Sequence, residues 1–266
     1  MSEIWIGDAR VTAIDPADRA LAYGDGLFAT MNVSAQQICY LESHLRRLSD
    51  GAARLGFCWH PSSALRQRLN ELASEHPEAC IKLLLSRGVG GRGYQAPAMA
   101  SPMVIISVHP LPPHYVQWQQ QGICLGRSPV TLGCQPLLAG MKHLNRLEQV
   151  LIKAHMADDV DDVWVTDAQG HVIEASAGNL FLINDMQVTV PSHAYAGVSG
   201  VMREQVIEAL LDMGLNVAAA DISEAQLLAA SHVLVTNSLM GAVPVSRIAN
   251  RPLAVWPRIK ELQQRI

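Results

Sequence analysis

Four lysines stand in the 266 residues, at Lys82, Lys142, Lys153 and Lys260, so an amine nucleophile must be one of them. Lys153 falls in an amphipathic helical pattern and Lys260 in a polar C-terminal one, both ordinary solvated positions. Lys82 begins the apolar stretch IKLLLSR and reads as pointing outward. Lys142 sits in PLLAGMKHLNRLEQVL, on an apolar, glycine-containing approach to a helix. Burial at such a place favours the neutral amine, the form that attacks a carbonyl.

Between Glu78 and Glu148 there is no Asp or Glu, yet Lys82, Arg87, Arg92, Arg127, Lys142 and Arg146 lie there. Cations with no acids near them in the chain point either to buried strands of skewed composition or to a pocket for carboxylate or phosphate. Within this span GVGGRG, residues 88–93, satisfies G-x-G-x-x-G. A dinucleotide fingerprint needs a strand before it, a helix opening from it and an acid about twenty positions on. Here YQAPAMASP follows and the next acid is Glu148, which excludes a Rossmann dehydrogenase. The segment reads as a mobile hairpin loop carrying Arg87, Arg92 and Tyr94. Its glycines let it fold closely over a ligand and its arginines can grip carboxylates; a plain surface hairpin is the alternative.

Other chemistries find little support. The ten histidines form no HExxH pair and no Cys/His metal spacing, so no metal site is expected. Cys39, Cys58, Cys80, Cys124 and Cys134 are widely spaced and read as reduced, mostly buried thiols of a cytoplasmic protein. A net charge of −4 without a basic field argues against nucleic acid, and no apolar run is long enough for a bilayer. MSEIWIGDARVTAID lacks the features of a secretory signal.

The elements that must position these residues read as mixed strands and helices. EIWI, ARVTAI and LFATMNV are extended, and LESHLRRLSDGAARLGF has helical periodicity. HPSSALRQRLNELASEH forms a second helix, with Ser62 or Ser63 as N-cap, and IKLLLSR and MVIISVHP are apolar strands around the glycine-rich loop. HPLPPHY is the strongest linker candidate. Beyond it come a strand near ICLGRS, a helix from about His143 to Met156, and strands at DDVWVTD, VIEAS, NLFLIN and SHVLVTN. SGVMREQVIEALLDMG and PRIKELQQRI are helical. This order predicts two α/β domains around a linker.

YGDGLFAT, ESHLRRL, SRGVGGRGY, AGMKHLNRLEQVL, VIEASAGNLF, GVSGVMR and TNSLMGAVPV occur in that order along almost the whole chain. Together they resemble the fold-type IV pyridoxal-phosphate (PLP) enzymes, the group of branched-chain aminotransferases, D-amino-acid aminotransferases and aminodeoxychorismate lyases. HxxRL alone is a weak signal; seven motifs in register are not. SRGVGGRGY and LAGMKHLNRLEQVL are similar to the lyase branch.

The resemblance implies a smaller N-terminal α/β domain over residues 1–112, a linker over 113–122, and a larger PLP-binding domain over 123–266 with a barrel-like sheet. It implies that Lys142 holds pyridoxal 5′-phosphate as a Schiff base and that Glu174 pairs with the pyridinium nitrogen. Arg47 corresponds to the phosphate-binding arginine, although helix periodicity alone does not separate it from Arg46. The backbone N–H groups of Val201 and Met202 would hold phosphate at a helix N-terminus. Asn237 and Ser238 fall where aminotransferases carry Gly-Thr on the phosphate; Ser238 supplies a hydroxyl, whereas Asn237 can serve through its backbone. Thr30 stands where branched-chain aminotransferases have Gly and offers a substrate-facing hydroxyl. Arg92 and Tyr94 would hold substrate carboxylate. The implied reaction converts 4-amino-4-deoxychorismate to 4-aminobenzoate and pyruvate, in a homodimer; transamination of branched-chain or D-amino acids is the rival.

Overall fold

In the computed structural model, which describes residues 2–266, period-two alternation builds the first sheet. Its strands are β1 (Ser2–Ile6), β2 (Ala9–Val11), β3 (Gly26–Ser34), β4 (Gln37–Ile38), β5 (Ala79–Ser86) and β6 (Met103–His109), in the order β2-β1-β6-β5-β3-β4. Every pairing is antiparallel. Along β3, Leu27, Ala29, Met31 and Val33 are buried, while Phe28, Thr30 and Asn32 stand half-buried on the other face. β5 repeats the pattern around Lys82 and Leu84. Burying an aliphatic side chain of this size contributes about 1.5–3 kcal/mol, so a one-residue slip would turn the core face outward at high cost.

Three helices accompany this sheet: α1 (Arg19–Tyr23), α2 (Leu41–Arg54) and α3 (Ser63–Glu75). The buried stripe of α2 is His44, Leu45, Leu48 and Ala52, matching its helical periodicity, and the helix packs on β3. Ser62 caps α3, its side chain accepting from the Leu65 N–H at 3.1 Å. β2 stops at Val11, short of the expected Ile14. The chain then turns through Asp15, which accepts hydrogen bonds from the N–H groups of Ala17 and Asp18.

The chain divides into two compact units. The first ends at Leu111 and also takes in Met141–Asn145; the second comprises Pro112–Gly140 and Arg146–Ile266. Residues 113–122, expected as a linker, contain helix α4 (Tyr115–Gln121) and lie within the second unit. The helix expected from His143 starts only at Leu147, as α5 (Leu147–Ala154). The preceding residues are extended because Phe28 N–H donates to the Lys142 carbonyl and Leu144 N–H to the Gly26 carbonyl, both at 3.0 Å. This short antiparallel bridge, centred on Leu27 and His143, ties Lys142 to β3.

The second unit also holds β7 (Ile123–Arg127), β8 (Asp162–Thr166), β9 (His171–Ala175), β10 (Asn179–Asn184), β11 (Gln187–Pro191), α6 (Val201–Asp212), β12 (Asn216–Ala220), β13 (Ile222–Ser223), α7 (Glu224–Ala229), β14 (His232–Asn237), β15 (Gly241–Ile248), β16 (Arg251–Pro252) and α8 (Ile259–Gln263). Nine strands run in the order β12-β11-β10-β14-β15-β7-β8-β9-β13, with β16 paired to β15, and the sheet curls into a half-barrel. The expected mixed α/β class and barrel-like sheet are both present. β8 and β10 are buried along both faces, which explains their unbroken apolar runs. The sequence of β15 does not read as a strand, because Pro244 lies within it and proline demotes a run as a strand candidate. The expectation that the five cysteines are mostly buried is met only at Cys80.

Candidate active site

Strand register collects the reactive groups of the first unit. Thr30 faces Lys82 and Phe28 faces Leu84 across the β3–β5 pair, so all four share the half-buried face. Lys142 reaches the same place: its Nζ lies 4.6 Å from the Phe28 ring centroid, and the Nζ of Lys82 lies 5.4 Å from it. Lys82 thus points away from the core face of β5, as expected, but not into open solvent. It is half-buried, and it is a second amine on the face that carries Thr30 and Lys142. The signal that finds it is the pairing of two distant strands, which single-strand periodicity lacks.

On α2, Arg46 is exposed whereas Arg47 is half-buried, three residues beyond the fully buried His44. Neither ring nitrogen of His44 has a hydrogen-bond partner. Burial first, then the positive charges of Arg47 and Lys142, push its pKa down to about 3, so the ring is neutral at physiological pH. His44 thereby sits beside Lys142 and Arg47 without adding to their charge.

The loop after β5 divides its cations. Arg87 is buried, its Nε 2.7 Å from Asp25 Oδ2 and its Nη2 donating to the Leu55 carbonyl at 2.7 Å. It is a structural residue, not a free grip on a ligand. Arg92 is exposed, and Tyr94 is 89% exposed. Long-range pairing also takes up Arg127, which reaches Glu224 at 2.5 Å, and Arg146 feels the charges of Glu174 and Glu148. Arg87 and Arg127 of the acid-free span thus find their acids elsewhere in the chain, at Asp25 and Glu224.

In the second unit Glu174 on β9 is only 6% exposed, and its Oε2 accepts from the Val198 N–H at 2.9 Å. Asn179 fixes that segment by donating to the Val198 carbonyl at 2.8 Å. The chain then enters α6 through Gly200, which provides no side-chain cap, leaving the first-turn N–H groups at Val201 and Met202 open to another acceptor. A Cβ added at Gly200 would lie 2.3 Å from Asn179 Oδ1, so a larger residue there would have to displace the Asn179 side chain. Asn237 ends β14 with its amide committed: Oδ1 accepts from Leu239 and Met240 N–H, and Nδ2 donates to the Ala177 carbonyl at 3.2 Å. Its side chain makes a turn, which leaves only its backbone for a ligand, while Ser238 is half-buried. Sequence reading passed over His193. Its Nδ1 lies 3.4 Å from Ser199 Oγ, and burial, with the charge of Arg203 adding, pushes its pKa down to about 4.

Pyridoxal 5′-phosphate presents an aldehyde, a pyridine nitrogen and a phosphate, which call for an amine, a carboxylate and N–H or hydroxyl donors. Lys142, the buried Glu174 and the uncapped start of α6 supply those types. The hydroxyls of Ser176 and Thr236, buried and without a hydrogen-bond partner, are two more polar groups of the second unit that the protein leaves unused. The residues present fit the cofactor. Among the described residues no group of three or more His, Cys, Asp or Glu could hold a metal ion, and no helix is long and apolar enough to cross a membrane.

Comparison with known proteins gives a consistent outcome. The family model described as amino-transferase class IV matches residues 26–248. An aminodeoxychorismate lyase of Vibrio harveyi is 37% identical over 92% of this chain and 91% of its own length. The crystal structure of 4-amino-4-deoxychorismate lyase from Pseudomonas aeruginosa superposes with a TM-score of 0.90 at 38% identity, covering 98% of this chain and 97% of that one. A D-alanine aminotransferase of Bacillus licheniformis is 26% identical over 94% of this chain and 89% of its own length.

Proposed function

The chain belongs to the class IV aminotransferase family, and from that membership we propose that it is a PLP-dependent lyase converting 4-amino-4-deoxychorismate to 4-aminobenzoate and pyruvate. The observation that carries this reading is the 38% identity and 0.90 TM-score, over nearly the whole chain, to a structure of a lyase of that substrate. The aminotransferase of comparable coverage stands at 26%. The product makes the step one toward folate, in the cytoplasm, and the acting form is a homodimer.

When bound, the cofactor supplies an electron sink for the charge left by proton removal. Lys142 would hold it covalently and, once displaced by the substrate amine, would serve as the neutral base that takes the proton from C4 of the substrate. Glu174 would hold the proton on the ring nitrogen. Arg47, the backbone N–H groups of Val201 and Met202, the backbone of Asn237 and the Ser238 hydroxyl would bind its phosphate. Thr30 donates to the enolpyruvyl oxygen as its bond to the neighbouring ring carbon breaks, and loss of both groups leaves an aromatic ring. Arg92 and Tyr94 hold substrate carboxylate.

Product analysis tests this directly. Aminodeoxychorismate is expected to give 4-aminobenzoate and pyruvate in equal amounts with no keto acid added, and borohydride should fix the cofactor on Lys142. Lys142→Ala should remain folded and lose turnover by roughly a thousandfold or more, as expected for a residue that is both covalent anchor and base. Fast amine transfer from amino acids to 2-oxoglutarate without 4-aminobenzoate would leave the aminotransferase reading in its place.

A further inference from the structure

The loop from Gly88 to Gln95 has almost no core of its own, yet one side chain outside it determines its path. Arg19, the first residue of α1, is 3% exposed. Its guanidinium donates to three successive loop carbonyls: Nη1 to Gly93 and Gln95, both at 3.3 Å, and Nη2 to Tyr94 at 3.0 Å. Nε is fixed by Asp25 Oδ2 at 2.8 Å, the same oxygen that holds Arg87. Tyr23 completes the grip. Its hydroxyl accepts from Gly93 N–H at 3.1 Å, its ring lies 4.8 Å below the Arg19 guanidinium carbon, and Tyr94 meets it edge-on at 5.6 Å. Gly90 leaves room for the stem, since a Cβ there would come within 2.6 Å of Arg19 Cδ.

Five donors in a rigid fork suit this task, and a lysine ammonium cannot reproduce it. With the carbonyls of residues 93–95 turned inward onto the fork, the side chains of Arg92 and Tyr94 are left on the exposed side of the loop. We propose that Arg19 is the positioning residue of this loop: it fixes the posture from which Arg92 and Tyr94 bind an anionic substrate, and so sets KM without touching substrate. Asp25 is its anchor. This inference rests on the lyase reading for the identity of the substrate, and on the hydrogen bonds alone for the clamp.

The test uses the PLP-loaded enzyme and Arg19→Lys, which keeps the ion pair with Asp25 and loses the fork, with Gly90→Ala as an independent way to displace the stem. Trypsin cleavage after Arg92, followed by mass spectrometry, reports the loop; kcat and KM for aminodeoxychorismate report its use. Both variants should be cut after Arg92 about tenfold faster and show KM raised roughly tenfold, with kcat within about twofold and the cofactor retained, because uniform binding is what the loop supplies. Unchanged cleavage in Arg19→Lys overturns the clamp. Faster cleavage with unchanged KM, or a loss confined to kcat, overturns its role in substrate binding. A wild-type enzyme that forms no 4-aminobenzoate removes the lyase reading instead, and the cleavage assay still decides the clamp.

Discussion

Glu174 and Tyr94 are held in opposite ways. Glu174 stands on a strand paired to β8, opposite Val165, nearly sealed from solvent, with one oxygen fixed by a backbone N–H. Tyr94 lies outside any strand, almost wholly exposed, and its segment is tied down by the Arg19 guanidinium and by Tyr23. Moving Glu174 means breaking a sheet; moving Tyr94 means breaking a few hydrogen bonds at the surface. Local opening follows the same division, from near zero for exposed loops up to the full folding free energy for core strands. A group that must keep its charge beside one atom belongs on the first kind of support. Groups that grip the outer substituents of a substrate tolerate the second, and there affinity can change without loss of the fold.

The comparison breaks most sharply at Glu174. Glu174→Gln keeps the shape and can still accept from Val198 N–H, yet it cannot hold a pyridinium proton as a carboxylate does. The expected result is a folded enzyme with cofactor bound and kcat lower by ten- to a hundredfold, the equivalent of the roughly 1.5–3 kcal/mol that a charged hydrogen bond contributes. Wild-type turnover, with a wild-type cofactor spectrum, would take Glu174 out of the site and leave its burial a matter of structure alone.

How much of this was legible beforehand follows the same line between local and long-range. The α2 and α3 helices, the Ser62 cap and the strands β3, β5, β8 and β10 are written in periodicity that a window of a dozen residues contains. Lys142 and Glu174 stood out through motifs. The neighbours of Lys82 on its face, Thr30 and Phe28, lie on another strand, so no local pattern shows them. The acid that holds Arg87, Asp25, is 62 residues away, so the local sequence leaves Arg87 looking free for a ligand. The late start of α5 has a similar cause: the local pattern favours helix from His143, but the backbone of β3 captures Lys142 and Leu144 first. Arg19 carried no signal at all, since only the folded loop shows what its fork is for.

A smaller effect is expected at Arg92. It is exposed, and a single exposed ion pair contributes about 1 kcal/mol or less, so Arg92→Ala should raise KM by roughly threefold with kcat unchanged. Displacing the whole loop through Arg19 should do more, because Tyr94 moves with it. Steady-state kinetics on both variants order the two effects. An Arg92→Ala enzyme with KM raised a hundredfold would mean that the exposed loop closes into a desolvated site when substrate binds, and the contrast with Glu174 would lose its force.

The smallest effect at neutral pH, and the one that sharpens the contrast, concerns His44. It is as buried as any strand residue, but it is held by packing alone, with both ring nitrogens unpartnered. Folded, it remains neutral down to about pH 3; unfolded, it charges near its ordinary 6.5. Below 6.5 the unfolded chain therefore binds the extra proton, and stability must fall as pH falls, by up to about 1.4 kcal/mol per unit for this one group. His193, with a pKa pushed down to about 4, adds a slope of the same sign over a narrower window. Urea unfolding of the apo form between about pH 7 and pH 5 stays clear of Asp25, whose carboxyl is held below its usual range because the hydrogen bonds of Arg87 and Arg19 outweigh its burial. Across that window His44→Leu should lose stability less steeply than wild type by up to one proton's worth of slope, whatever its stability at pH 7. The slope is the readout because a cavity or a better-packed leucine shifts the level at every pH alike. Equal slopes would mean that His44 is charged in the folded state or reached by water, and that its burial beside Lys142 and Arg47 does not keep it neutral.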